Sequence, residues 1–190
     1  MKILHVCTGR ARAVMMHGKK VLSAIGKSAV TGPVAVGPLG LAGDEQADLT
    51  VHGGLSKAVY AYPSEHLHFW QTVRAQAKVS LWDEPIAPGF LGENLLIEGV
   101  RENELWLGDR LHLPGCVLVV SEPRLPCNKF TAVMGFAQAA KLMAQSGFCG
   151  AYLAVLQPGT LQAGEDFTLE PGPREVNVRD LFRARMGRAG

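Results

Sequence analysis

The feature that most constrains this chain is the rhythm of its apolar runs. Each run is short, and most are followed by a Gly or Pro turn signal. That rhythm is the signature of many short strands. Strands are predicted at 3–7, 21–25, 34–36, 58–62, 94–97, 152–156 and 166–169, with a Gly-rich turn over 37–43. Residues 109–113 and 116–122 read as a hairpin around Pro114 and Gly115. Only two segments read as good helices. One starts at a Ser64 cap, with Glu65 in its first turn, and runs to about residues 74–78. The other is the Ala-rich stretch 134–145, which Gly147 should stop. A doubly wound α/β sheet would need helices between its strands, and they are missing. The pattern instead predicts a mainly β fold, a closed β-barrel with helices in its loops. The 22 Gly and 11 Pro are spread along the chain, so no single linker divides it. After Glu170 the character changes: PGPRE reads as a break, and 178–186 as a short helix unable to fold alone. Residues 1–170 are therefore expected to form one barrel domain, and 171–190 a linker and helical tail that docks, swaps or frays.

Charge and cysteine content narrow the function classes. The net charge is +2 over 190 residues, and no Lys/Arg stripe forms, so a nucleic-acid partner is not expected. No signal-length apolar stretch opens the chain, and nowhere do eighteen apolar residues run together. A cytoplasmic protein without a membrane span is the expectation. There the four cysteines should be reduced, and their wide spacing without a C-x-x-C disfavours structural zinc. Cys7, Cys116 and Cys149 lie in apolar runs and read as core residues. His66 and His68 are placed on the solvent side of the first helix. Ser56 and Ser121 lack a base with an orienter, so a Ser-His-Asp hydrolase has no support.

Three segments carry the chemistry. In SEPRLPCNKF (121–130), Pro123 and Pro126 stiffen the backbone around Cys127, while Arg124 and Lys129 flank it. Two nearby cations favour the thiolate, the form that binds metals or attacks electrophiles. The competing reading is an inert cysteine beside two surface cations. In GDEQADLTVHGGLSKAVYAY (43–62), His52, Gly53 and Gly54 let backbone approach an anion and Lys57 adds a point charge. Asp44, Glu45 and Asp48 crowd the same loop, and a plain surface hairpin is the alternative. The spacing matches neither a Walker loop nor a dinucleotide fingerprint. In PGFLGENLLIEG (88–99), Asn94 has donors and an acceptor suited to a heterocycle edge, or serves simple turn chemistry.

Taken in order, GDEQADLTVHGG with KAVYAYPSEH, GENL, LGDRL and PRLPC resemble the MOSC family, named for the C-terminal domain of molybdenum cofactor sulfurases, and within it the YiiM-like branch. The resemblance covers roughly residues 20–170. It implies a β-barrel that binds the molybdenum cofactor, a pterin dithiolene (molybdopterin) carrying phosphate and molybdenum, with Cys127 as the protein's metal ligand. It implies an oxidoreductase that reduces N-hydroxylated small molecules or base analogues, with electrons from a redox partner such as a flavoprotein reductase; an oligomer is compatible with it. Arg124, Lys129, His52, Gly53, Gly54, Lys57 and Asn94 are then the expected cofactor contacts. The alternative within the family is a non-catalytic carrier of cofactor or sulfur that uses Cys127. The chain departs from the family's G-W-Y-L-R-like run at Ala151 and Ala154, which should open space and remove a charge near the barrel wall. It also has Asn128 where an aromatic is common. The tail looks like the cut-short start of a helical domain.

Overall fold

The computed structural model describes residues 1–16, 19–47 and 53–187. In chain order the elements are β1 (Lys2–Thr8), β2 (Arg12–Met16), β3 (Lys19–Ser23), β4 (Ser28–Val30), β5 (Val34–Gly37), β6 (Gly40–Leu41), β7 (Val59–Pro63), α1 (Leu67–Gln76), β8 (Leu95–Glu98), β9 (Arg110–His112), β10 (Val117–Pro123), α2 (Asn128–Met134), α3 (Ala139–Ser146), β11 (Ala151–Gln157), β12 (Gly159–Leu161), β13 (Thr168–Glu170) and α4 (Val178–Gly187). The fold is mainly β with several helices.

The main sheet has eight strands in the order β13-β9-β10-β11-β7-β8-β1-β4. A three-stranded sheet (β12-β5-β6) and the β2–β3 hairpin accompany it. All pairs in the main sheet are antiparallel except β7 with β8. Parallel neighbours need a crossover, and α1 supplies it. Strand β7 is buried along its whole length. Its two tyrosines satisfy their hydroxyls internally: Tyr60 donates to the Cys149 carbonyl at 2.8 Å and Tyr62 to that of Phe148 at 3.2 Å. Trp70 of α1, itself fully buried, donates its indole N–H to the Tyr62 hydroxyl.

The expected closed barrel is corrected. The strand ladder is open, because β13 pairs only with β9 and β4 pairs only with β1. Strand β4 is three residues long and takes the edge of β1 at Val6–Thr8. Only the first residues of β1 are left to meet 164–167. There one isolated bridge forms, Lys2 with Asp166. The Ile3 N–H donates to the Glu165 carbonyl at 2.9 Å and the Gly164 N–H to that of Ile3 at 2.7 Å. Among the described residues a single bridge links the sheet's ends where a continuous ladder was expected.

The helix expectations also change. Among the described residues there are four α-helices, where two good helices and a short tail helix were predicted; α4 meets the tail prediction and α2 is the addition. Gly135, in the left-handed region at φ 82°, ends α2 and splits the Ala-rich stretch, so α3 starts later than expected. Gly147 stops α3 as predicted, at φ 75°. The segment after Pro63 opens as a 3-10 turn at Ser64–His66, and Ser64 makes no side-chain cap. His66 is not on the solvent side. It is 5% exposed, stacked on Phe148 at 3.8 Å, and hydrogen-bonded to Glu102 at 2.7 Å. His68 is exposed as expected. Helix α4 docks through fully buried Val178 and Phe182, and backbone bonds tie 176–178 to 105–107. No helix of the described residues is long and apolar enough to cross a membrane.

Candidate functional site

Cys127 owes its position to the way β10 ends. Along β10, Leu118 and Val120 face the core in strict alternation. A register shift between Val120 and Glu122 inserts one extra residue, so the next inward position falls on Pro123 and Glu122 turns to a partly buried place at the edge of the core. A bulge of this kind redirects side chains. Ser121 pins it by donating to the Tyr152 carbonyl at 2.9 Å. The short loop through Pro126 then delivers Cys127 as the extended N-cap residue of α2. Its thiol is half-buried, whereas Cys7, Cys116 and Cys149 are buried as predicted. Burial pushes the Cys7 thiol up to about 12 and that of Cys116 to about 11, so these two stay protonated at neutral pH.

Arg124 is not a surface cation. It is 4% exposed, with its guanidinium 4.9 Å from the Tyr60 ring and 5.1 Å from that of Phe130. Burial opposes its charge, but Tyr60, Tyr152 and Cys127 favour it, and the net shift is upward. Arg124 therefore stays charged. Its Nη1 is buried with no hydrogen-bond partner. An unsatisfied buried charged donor costs stability unless something arrives to accept from it. Glu93 shows the same incompleteness. Its Oε1 accepts from the Gly89 N–H at 2.6 Å, its Oε2 has no partner, and burial raises its pKa to about 7.

A cavity of about 80 Å³ collects the site. Its wall brings together five of the expected residues, Cys127, Arg124, Lys129, Lys57 and Asn94. It adds others that the sequence reading did not assign to the site, chiefly Lys27, Tyr60 and Tyr152. Lys27 pairs with Asp44, both side chains being under 10% exposed. Asp44 also accepts from the Gly9 N–H at 2.8 Å and from Asn94 Nδ2 at 2.9 Å. Lys57 lies 4.0 Å from Glu122 and 5.9 Å from the centre of the Tyr152 ring.

Two expected contacts take other roles. Asn94 is a strut: its Oδ1 accepts from the Tyr60 N–H at 3.0 Å, and its Nδ2 donates to the Cys7 carbonyl and to Asp44. The amide that was expected to read a heterocycle instead ties β7, β1 and the Asp44 loop. The Gly54 N–H is likewise engaged, donating to Gln46 Oε1 at 2.9 Å, and neither Gly53 nor Gly54 lines the cavity. His52 and Asp48 lie outside the described residues. Ala151 opens no space: it is 1% exposed and paired with Ala61 and Pro123. The bulky Tyr152 fills the wall between Ala151 and Ala154.

The cavity residues suit an anion that brings its own metal. Four cations (Lys27, Lys57, Arg124, Lys129) line it against two carboxylates (Asp44, Glu45). Among the described residues no three His, Cys, Asp or Glu side chains group as metal ligands. Cys127 is thus a single soft thiol donor beside buried positive charge. That donor set fits a metal already held by soft sulfur and carried on an anionic group.

Comparison with known proteins gives the site its relatives. Residues 48–168 match the MOSC domain. The chain is 35% identical to the protein YiiM of Escherichia coli (strain K12), over 92% of this chain and 75% of that one. It is 32% identical to a reductase of Gibberella moniliformis, spanning 96% of this chain but only 32% of that protein. The crystal structure of YiiM from Geobacillus stearothermophilus superposes with a TM-score of 0.76 at 28% identity, covering 97% of this chain and 83% of that one. A matched domain covering most of the chain, a shared fold and a relative aligned over three quarters of its length agree: this chain belongs to the MOSC domain family.

Proposed function

We propose that the cavity beside Cys127 holds the molybdenum cofactor, with Cys127 as the protein's thiolate ligand, and that the protein reduces N-hydroxylated small molecules. The observation that carries this reading is Arg124 Nη1, a buried cationic donor without a partner in the wall that also presents Cys127. Family membership and a relative named as a reductase support it.

When bound, the cofactor supplies the redox chemistry. The chain's own residues supply binding and charge. Arg124 would hold the anionic pterin through its unpartnered Nη1, in a buried place where such a bond is strong. Lys57 and Lys129 would offset the phosphate's charge. Asp44 holds Lys27, and through Asn94 it fixes the loop against β7, so the cationic wall is set before the ligand arrives. Reduction of an N–OH bond takes up a pair of electrons and a pair of protons and releases the amine or amidine and water. The electrons come from a redox partner such as a flavoprotein.

The test is turnover. Protein purified from a host that makes the cofactor is mixed with an amidoxime and an artificial low-potential donor. Formation of the amidine by the wild type, lost in Cys127→Ala, is the expected result. Full molybdenum and pterin content without turnover of any N-hydroxylated compound would contradict the reductase reading and leave a carrier of the cofactor.

A further inference from the structure

A second cavity, of about 280 Å³, shares no lining residue with the one beside Cys127 among the described residues. Its wall is built from the end of α3 and the residues after it (146–148), the turn 101–103, Glu65 and His66, and Arg179 from the first turn of α4. The Arg179 stem crosses Gly147, whose left-handed φ of 75° ends α3; a Cβ there would touch Arg179 Nε at 3.5 Å and Cγ at 3.6 Å. An arginine beside a helix C-terminus ordinarily donates to the last carbonyls. Here the Ser146 hydroxyl donates to the Leu142 carbonyl at 2.8 Å, and the Gly147 N–H donates to that of Met143 at 2.9 Å. Arg179 Nε is left buried without a partner. The two carboxylates of the wall are committed elsewhere: Glu102 to His66 and the Gly150 N–H, and Glu65 Oε1 to the Gly99 N–H at 2.7 Å. The N-terminus of α4 plays no part, because Asn177 Oδ1 accepts from the Arg179 N–H at 2.9 Å and from that of Asp180 at 3.4 Å. Arg101 adds a second, exposed cation, held only loosely by Glu104 at 3.5 Å. Phe148, stacked on His66, adds an apolar surface.

We propose that this cavity is a second binding site, for a small organic monocarboxylate, with Arg179 holding the carboxylate through Nε, Arg101 adding charge and Phe148 meeting the apolar body. A guanidinium fork matches the planar carboxylate. Glu65 and Glu102 oppose every negative charge that enters, so one charge is tolerated better than the two of a phosphate. The site stands apart from the reading of the Cys127 cavity and does not rest on it.

Nuclear magnetic resonance of the full, nitrogen-15-labelled chain tests this, with benzoate as the probe in a carboxylate-free buffer. The Arg179 Nε–H signal, identified by its loss in Arg179→Lys, should shift and saturate as benzoate is added. Benzyl alcohol, the same body without the charge, should leave it in place, and phosphate at equal concentration should move it less. Arg179→Gln should weaken benzoate binding, followed at the Phe148 amide, by at least about tenfold, the scale of one hydrogen bond to a charged group. Arg124→Met, which alters only the other cavity, should leave the Arg179 shift unchanged. An Arg179 signal that benzoate does not move, or that benzyl alcohol moves equally, overturns the inference. So does a response that disappears in Arg124→Met, because the carboxylate then sits beside Cys127. A stronger response to phosphate than to benzoate overturns the assignment to monocarboxylates. Should Arg179→Gln fail to fold, the wild-type titrations with the three probes decide the matter.

Discussion

Two regions bury charge, and they do so differently. Glu102 itself is answered at both oxygens. One oxygen is paired with His66 at 2.7 Å and the other accepts from the Gly150 N–H at 2.7 Å. Asp109, fully buried, accepts from the Gly172 and Trp106 N–H groups and meets Arg174 at 3.4 Å. In the wall beside Cys127 one charge is left unanswered: Arg124 Nη1 is buried without a partner, as is Oε2 of Glu93, a residue outside the cavity lining whose charge Arg124 favours. Fully answered buried charges hold a fold together. Unanswered ones beside a cavity are what a binding site looks like before its ligand comes.

The comparison makes predictions, and the largest concerns Cys127. Cys127→Ala should abolish molybdenum retention and turnover, yet leave the melting temperature nearly unchanged, because the thiol is only half-buried. Cys7→Ala should do the reverse, costing about 1 kcal/mol while metal content holds. Metal content by elemental analysis and melting by calorimetry check both. Next comes the satisfied region. Glu102→Ala strands a buried His66 and the Gly150 N–H, and should cost about 3–5 kcal/mol in urea unfolding without lowering cofactor per folded chain.

Glu93 sharpens the contrast through pH. Burial raises its folded pKa from 4.5 to about 7, so between those values the folded state holds a proton that the unfolded state has lost. Stability should therefore fall as pH rises through this window, by up to about 3 kcal/mol, and be greatest below it. Urea midpoints measured across the window should show the slope, and Glu93→Gln should flatten it. Among the buried charges, the smallest stability effect is expected at Arg124. Arg124→Met removes a charge that is incompletely bonded, so unfolding free energy should move by only about 1 kcal/mol, the scale of its ring contacts. Phosphate affinity should nevertheless fall by at least about tenfold, the scale of one charge-assisted hydrogen bond. A large stability loss with unchanged affinity would place Arg124 in the scaffold.

Much of this site was legible in the chain because its parts are local. PRLPC puts Arg124 and Cys127 on one rigid turn, and Lys129 follows within a helical turn. What was not legible depends on distant partners. Lys27 enters the site only because Asp44 folds onto it from another loop, and nothing around Lys27 announces that pairing. Asn94 looked like a ligand contact because its amide suits one; the carbonyl of Cys7, far back in the chain, claims that amide instead. His66 looked exposed because a short amphipathic stretch says little about what packs over its start, here Phe148 from the loop before β11. The alternation of apolar runs predicted β-rich structure well. It could not predict closure, which turns on whether 164–167 extends a ladder along β1 or makes one bridge.

The central claim is that the open valences around Cys127 belong to a molybdenum-bearing pterin. The most direct measurement is molybdenum and pterin per chain in protein purified from a cofactor-producing host. The account predicts equimolar molybdenum and pterin in the wild type, with pterin lost from Arg124→Met and molybdenum lost from Cys127→Ala. Well-folded wild-type protein carrying neither would contradict it.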